Sequence, residues 1–342
     1  MASSLDQLYA LNIPAVRELF IQAMQQVADD AQIQEMIKAI ENNDLEALYR
    51  ASGFTPVVLN SLIDKIEEIY EKAANLTIDG WPKRIRTPLG LAKPVFNIRN
   101  EKVEEDLKNF SSNFVKNIDN EVRENLRFAL SDGMERGDNP RQTALNIVGR
   151  VNSSTKKREG GIIGLSTNQA RWSASARRYL ENLDDKYFNL ELRDKRFDSL
   201  VKKAIAEGKK LTKEDATRLV TAYERKALKY RGDAIARTET IQSINRAERV
   251  AIAQNIEDGL IKEEQVRKWW DDTGDSRTRL SHLALGNKYN KNNTIGFNEP
   301  FETSTGSKLL YPGDSSLGAN PREIVHCRCV ARYKIDFLKE YL

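Results

Sequence analysis

Two histidines and two cysteines are the whole supply of imidazole and thiol in this 342-residue chain, and all four lie from His282 onward. His282 stands alone, whereas His326, Cys327 and Cys329 form one tight run with Arg328 between the cysteines. Thiolate and imidazole suit zinc, so Cys327, Cys329 and His282, if brought together, can hold a tetrahedral ion completed by Asp275 or by water. A single residue between the cysteines is shorter than the usual zinc spacing. The plainer expectation is a buried thiol pair, with His282 hydrogen-bonded to the backbone or to Asp275. A third chemistry is a thiolate nucleophile activated by Arg328 and His282. If the run lies on a strand, Cys327 and Cys329 share one face and His326 takes the other.

Arginines near the lone histidine offer a second chemistry. Arg277 and Arg279 flank Thr278 and, with Asp275 and His282, could frame a phosphate or nucleotide site. The favoured expectation is that they pin long loops through bonds to carboxylates. Arg237 and Glu239 are two residues apart within a helical pattern and do not face each other, so both are expected to anchor that helix to the C-terminal domain. Of Trp269 and Trp270, one is expected in the core and the other at a surface or under a loop.

The elements that must position these residues are mostly helical. Val16, Leu19, Phe20, Ala23 and Met24 predict an amphipathic helix opened by Pro14 and running to about Asp29. Similar faces run from Ala31 to Ile40 and from Thr55 to Ala74. Residues 76–100 carry Gly80, Pro82, Pro88, Gly90 and Pro94 around Trp81 and Phe96, and read as a connector or an arm wrapped on something. Helix is expected again from Val103 to about Glu135, with Gly137-Asp138-Asn139-Pro140 as a stop and restart before a short helix over 141–151. Residues 152–165 read as a basic, flexible loop. Ser166 or Thr167 and then Thr212 are helix caps, the second opening a long register toward Gly259. Beyond Gly259 the chemistry turns to strand and loop, with strands expected at Val266–Trp270, Lys308–Tyr311 and Val325–Ile335 and long polar loops at 287–293 and 312–320. No segment repeats another.

The predicted fold class is α+β and predominantly helical: a long N-terminal helical region followed by a small C-terminal α+β domain. The expected parts are an N-terminal helical bundle (1–75), a connector or arm (76–100), a helical segment (101–151), a basic loop with helices (152–209) and a C-terminal domain of one long helix plus a small α+β module (210–342). A length of 342 residues favours more than one domain, and 40% hydrophobic residues are enough to fill cores.

Charge is polarised along the chain. Residues 1–80 hold 13 Asp and Glu against 5 Lys and Arg, whereas residues 141–180 hold eight basic residues against Glu159 alone. Lys156, Lys157, Arg158, Arg171, Arg177 and Arg178 are therefore the candidate contacts for phosphates of double-stranded DNA, made without reading sequence. No aromatic-interleaved basic stripe accompanies them, so base-specific recognition is not expected. There is no apolar run of membrane-spanning length, and Met1–Asp6 lacks the pattern of a secretory signal. Together with two cysteines too close to staple distant segments, this predicts folding in a cytoplasm without need of a membrane.

Taken in order, Ile235-Ala236-Arg237-Thr238-Glu239-Thr240, Trp269 or Trp270, Asp275-Ser276-Arg277-Thr278-Arg279, His282, Gly286, Tyr311-Pro312-Gly313-Asp314 and Cys327-Arg328-Cys329 resemble the phage Mu F-like head-morphogenesis family, the minor head proteins of tailed bacteriophages. Upstream, Gly161-Ile162-Ile163-Gly164-Leu165-Ser166 and Gln169 are similar to a segment often found before that domain. His326 departs from the asparagine that many relatives carry before the Cys-x-Cys. The resemblance implies a non-enzymatic minor structural protein of the virion. It would enter the procapsid in low copy near the portal vertex, act in head assembly and in genome packaging or ejection, and sit in the capsid interior after assembly in the host cytoplasm. Its implied partners are the portal protein, the scaffold or major capsid protein, and packaged DNA. No cofactor is implied beyond the zinc that the cysteines could hold. The alternative is an enzyme with nucleotide-transfer or hydrolase activity centred on His282, Cys327 and Cys329.

Overall fold

The computed structural model describes residues 4–88 and 90–338. It is α+β and mostly helical. The helices are α1 (Ser4–Asp30), α2 (Ile33–Glu41), α3 (Leu45–Ala51), α4 (Asn60–Asp79), α5 (Glu101–Arg136), α6 (Pro140–Val148), α7 (Thr167–Glu181), α8 (Asp198–Glu207), α9 (Lys213–Glu257), α10 (Leu280–Lys288) and α11 (Pro321–Ile324). The strands are short: β1 (Ile85–Thr87), β2 (Gly90–Ala92), β3 (Arg150–Val151), β4 (Arg158–Glu159), β5 (Val266–Asp271), β6 (Ile295–Gly296), β7 (Phe301–Glu302), β8 (Lys308–Leu309) and β9 (Val330–Ile335). Among the described residues no helix is long and apolar enough to cross a membrane.

The helix starts follow their caps. Asn139 accepts from Gln142 N at 2.8 Å with Pro140 next, and Ser166 and Gln169 form a reciprocal capping box at the head of α7. Thr212 Oγ1 accepts from Asp215 N at 3.0 Å just before α9 begins. Pro14 does not open α1 but lies inside it, and the described helix begins ten residues earlier than its apolar spacing predicts.

Two compact units share the chain. One gathers residues 1–16, 62–109 and 233–342, and the other 17–61 and 110–232. The stretches 1–75 and 210–342, each expected to form one body, are therefore both divided. The reason is length: α1, α4, α5 and α9 continue across a unit boundary, which their unbroken helical register does not mark.

In the unit of residues 17–61 and 110–232, the segment 152–165 is built rather than loose. β3 and β4 pair antiparallel, Arg150 with Glu159 and Val151 with Arg158. Asn152 Oδ1 organises the connecting turn by accepting from Ser154 N and Thr155 N, at 2.8 and 3.2 Å. Ile162, Ile163 and Leu165 then enter the core. Gly161 is required by close approach: it adopts φ +83°, and a Cβ there would meet Gly149 N at 2.4 Å. Its own N–H donates to Glu224 Oε2 at 2.7 Å.

The other unit carries the small α+β module. β5 is the centre of a three-stranded antiparallel sheet in the order β6-β5-β9, with Trp270 opposite Ala331 and Asp271 opposite Val330. Trp270 is the buried tryptophan and Trp269 is half-buried. Residues 76–100 belong to this packing. Ile85 is buried with Ile252, Ile261, Val266 and Phe297, and Trp81 packs against the same cluster. The arm continues along α9, where Gln254 Oε1 accepts from Asn97 N at 2.9 Å and Asn255 Nδ2 donates to Val95 O at 3.0 Å.

Candidate functional site

The segment that carries the cysteines is not a strand. The chain leaves α11, turns at His326 with φ 59°, and enters β9 only at Val330. Period-two alternation from Val325 onward predicts a longer strand, but the turn consumes its first five residues. Cys327 N donates to Ile324 O at 3.1 Å, and His326 N donates to Thr238 Oγ1 on α9 at 3.0 Å. Cys327 and Cys329 are buried together in a cluster with Trp270, Leu285, Tyr289 and Phe301.

His282 comes to them on α10, a helix that falls within the stretch expected to be strand and loop. Its ring stands edge-on to Trp270, with centroids 5.1 Å apart. Nδ1 lies 3.6 Å from Cys327 Sγ and 3.4 Å from Cys329 Sγ. On the opposite side, Nε2 sits 3.0 Å from Glu323 Oε2, close enough for an ion pair although off the axis of a straight hydrogen bond. Glu323 is buried and aimed: Ser281 Oγ donates to Oε2 and Thr305 Oγ1 to Oε1, each at 2.8 Å. Burial raises the Glu323 carboxyl, but those two hydroxyls and the imidazole outweigh it and hold the group below its ordinary value. The two thiols face each other. That contact lowers Cys327, which receives the hydrogen bond, and the same contact with burial raises Cys329.

The three metal-ligand candidates are thus brought together, their donor atoms all within 4.8 Å of one another, and among the described residues no fourth His, Cys, Asp or Glu joins them. Asp275 is elsewhere. Arg328 grips it at both oxygens, at 2.7 and 2.5 Å, and Arg277 approaches at 3.5 Å, so its carboxyl falls well below the usual range chiefly through the Arg328 bonds. It is a loop clamp and neither a metal ligand nor a partner of His282. Arg279 donates to Val325 O, also tying a loop. Neither arginine frames a phosphate site with His282, whose nitrogens face sulfur and Glu323. His326 points away from the cluster, and burial beside Arg237 and Arg279 lowers its pKa.

On α9 the residues that bond to the C-terminal turn are Thr238, between the expected Arg237 and Glu239, and Asn245 further along the helix. Thr238 holds the His326 turn, and buried Asn245 binds Pro312 O, Cys329 O and Ala331 N. Arg237 and Glu239 flank Thr238, and the protein packed around Glu239 raises its carboxyl to about 7 although part of the side chain meets solvent. Glu323 and Asn245 give no signal in the sequence, because a lone polar residue in a one-turn helix or a long helix resembles ordinary surface.

The basic candidates divide. Lys156, Lys157 and Arg171 are exposed. Arg158 is half-buried, with Nη1 donating to Gly149 O at 3.1 Å. Arg177 lies 3.6 Å from Glu224 and Arg178 2.9 Å from Asp132, both carboxylates buried; Arg177 faces inward, whereas Arg178 pairs with its carboxylate while staying partly exposed. Both cations are engaged by carboxylates distant in the chain, which charge counting does not register.

Among the described residues, several open cavities, one of about 430 Å³ beside Arg136 and Arg150, are lined by residues other than His282, Cys327 and Cys329. Comparison with known protein families, curated proteins and solved structures finds no match for this chain.

Proposed function

We propose that this chain is a minor structural head protein of a tailed bacteriophage, present in low copy near the portal vertex. In that role it takes part in head assembly and in packaging or ejecting the genome, binding the portal and the scaffold or major capsid protein. One observation carries this reading: the ordered motifs from Ile235 to Cys329 that resemble the Mu F-like family all lie in one unit, and several of them are tied by hydrogen bonds to one another or to adjoining backbone. Thr238 holds the backbone of His326, Asp275 holds Arg328, and Arg279 holds Val325. Asn245 joins the Tyr311–Asp314 segment to Cys329 through Pro312 O. Motif residues spent on each other build a rigid module, whereas a catalytic set presents its groups to a substrate.

The burial of His282, Cys327 and Cys329, at 1, 1 and 2% exposure, weighs against the enzyme alternative. The exposed cations Lys156, Lys157 and Arg171 are the surface left for sequence-independent contact with DNA phosphates. The test is electron cryomicroscopy of isolated heads, with this chain located by a fused label. Density in a few copies at the portal ring is the expected result, and density spread over the outer shell overturns the proposal.

A further inference from the structure

We infer that His282, Cys327 and Cys329 bind a zinc ion, with Glu323 as the outer partner that orients the histidine. The inference concerns the isolated chain and is independent of where the protein sits in a virion.

Three features of the geometry argue for it together. First, the donor set is two sulfurs and one imidazole nitrogen, the soft and borderline ligands that zinc prefers. Second, the spacing suits a metal. Zinc–sulfur and zinc–nitrogen bonds of about 2.3 and 2.05 Å at tetrahedral angles set sulfur and nitrogen about 3.5 Å apart. The observed separations are 3.6 and 3.4 Å. Third, the outer side of the ring is prepared. A metal-binding imidazole generally gives its second N–H to a carboxylate, which fixes the tautomer and leaves the other nitrogen free to coordinate. Glu323 Oε2 stands 3.0 Å from Nε2, off the hydrogen-bond axis as it lies but in reach of that N–H after a small rotation, and Ser281 and Thr305 hold the carboxylate in place. A buried carboxylate with two dedicated hydroxyl donors, on the side of the histidine away from the cysteines, has no such use in a plain pair of packed thiols.

On binding, both thiols and the metal's water shell adjust. Each cysteine loses its S–H proton to solvent and coordinates as thiolate, His282 coordinates through Nδ1, and a water molecule fills the fourth position. The ion then joins α10 to the turn between α11 and β9, two segments far apart in the chain. The short Cys-x-Cys spacing is compatible because both sulfurs lie within 3.6 Å of His282 Nδ1.

The experiment uses the full-length protein, produced without a histidine tag. Elemental analysis by mass spectrometry should find one zinc per chain, absent from a Cys327→Ser/Cys329→Ser double variant. Because that variant can lose its fold, the wild-type protein is also stripped and refilled with cobalt. The expected spectrum has the thiolate-to-cobalt charge-transfer bands and intense visible absorption of a four-coordinate site. Glu323→Gln should keep the stoichiometry while weakening zinc affinity by about 10–100-fold, read by competition with a chromogenic chelator. Wild-type protein holding no more zinc than the double variant, with no thiolate–cobalt band, overturns the inference. So does stoichiometric binding of a different metal in zinc's place.

Discussion

Asn245 and Ala331 are linked across 86 positions by a buried hydrogen bond, the Ala331 N–H donating to Asn245 Oδ1 at 3.0 Å, while the same amide group donates to Cys329 O at 3.3 Å. One side chain on α9 thus closes the backbone on either side of Val330, where the cysteine turn becomes β9. Asn245→Ala leaves these backbone groups buried without partners. The expected cost is about 1–3 kcal/mol, the usual penalty for an orphaned buried polar group. Urea unfolding checks it, and an unchanged midpoint would show that water replaces the amide at no cost.

Lys268 is fully buried on β5, with Nζ donating to Leu310 O at 2.8 Å and lying 4.8 Å from the Phe301 ring centre. Burial, aided by Arg249, lowers its pKa to about 7, against the smaller opposing pull of Asp314 and Glu299. Between pH 7 and the ordinary lysine value of about 10.5, the unfolded chain binds a proton that the folded chain does not. The lysine's contribution to stability therefore rises as pH rises through that window and is flat below it. Subtracting the stability curve of Lys268→Met from that of the wild type should isolate this upward slope. A difference curve that is level from pH 7 to 10 would contradict the buried neutral amine.

The basic residues of 152–180 should separate by role. Replacing Lys156, Lys157 and Arg171 together by alanine is expected to weaken binding to double-stranded DNA and to reduce the salt slope by about 0.9 for each phosphate that is no longer neutralised, with little change in stability. Arg177→Ala should instead lower thermal stability, because it removes the cation beside buried Glu224, which also receives Ser173 Oγ at 2.6 Å and Gly161 N at 2.7 Å. Filter binding at several salt concentrations, paired with thermal melts, distinguishes the two groups. If the triple variant binds as the wild type does, the hairpin tip and α7 surface do not touch DNA.

Much of the helical architecture is legible residue by residue. The caps at Ser166 and Thr212 lie where the short polar side chains and following carboxamide or carboxylate place them, and Asn139, in the run read only as a stop and restart, caps α6 in the same way, because capping is a contact between residues three apart. α10 is hidden for a related reason: Leu280–Lys288 is short, and its Gly286 and neighbouring asparagines read as loop chemistry. The connector at 76–100 announces itself by its prolines, yet the partners it wraps, Gln254 and Asn255, are about 160 positions away and leave no local trace.

By itself the sequence determined the fold class, the course of most helices, and the confinement of any thiol or imidazole chemistry to the region from His282 onward. Those properties depend on period, capping and residue supply, all of which are local. Tertiary structure alone decided that His282 faces both sulfurs, that Glu323 rather than Asp275 stands beside it, and that Arg177 and Arg178 pair with buried carboxylates. It also decided that two units interleave along the chain. The physical reason is the same in each case: these are contacts between distant residues, formed by packing that no spacing along the chain encodes.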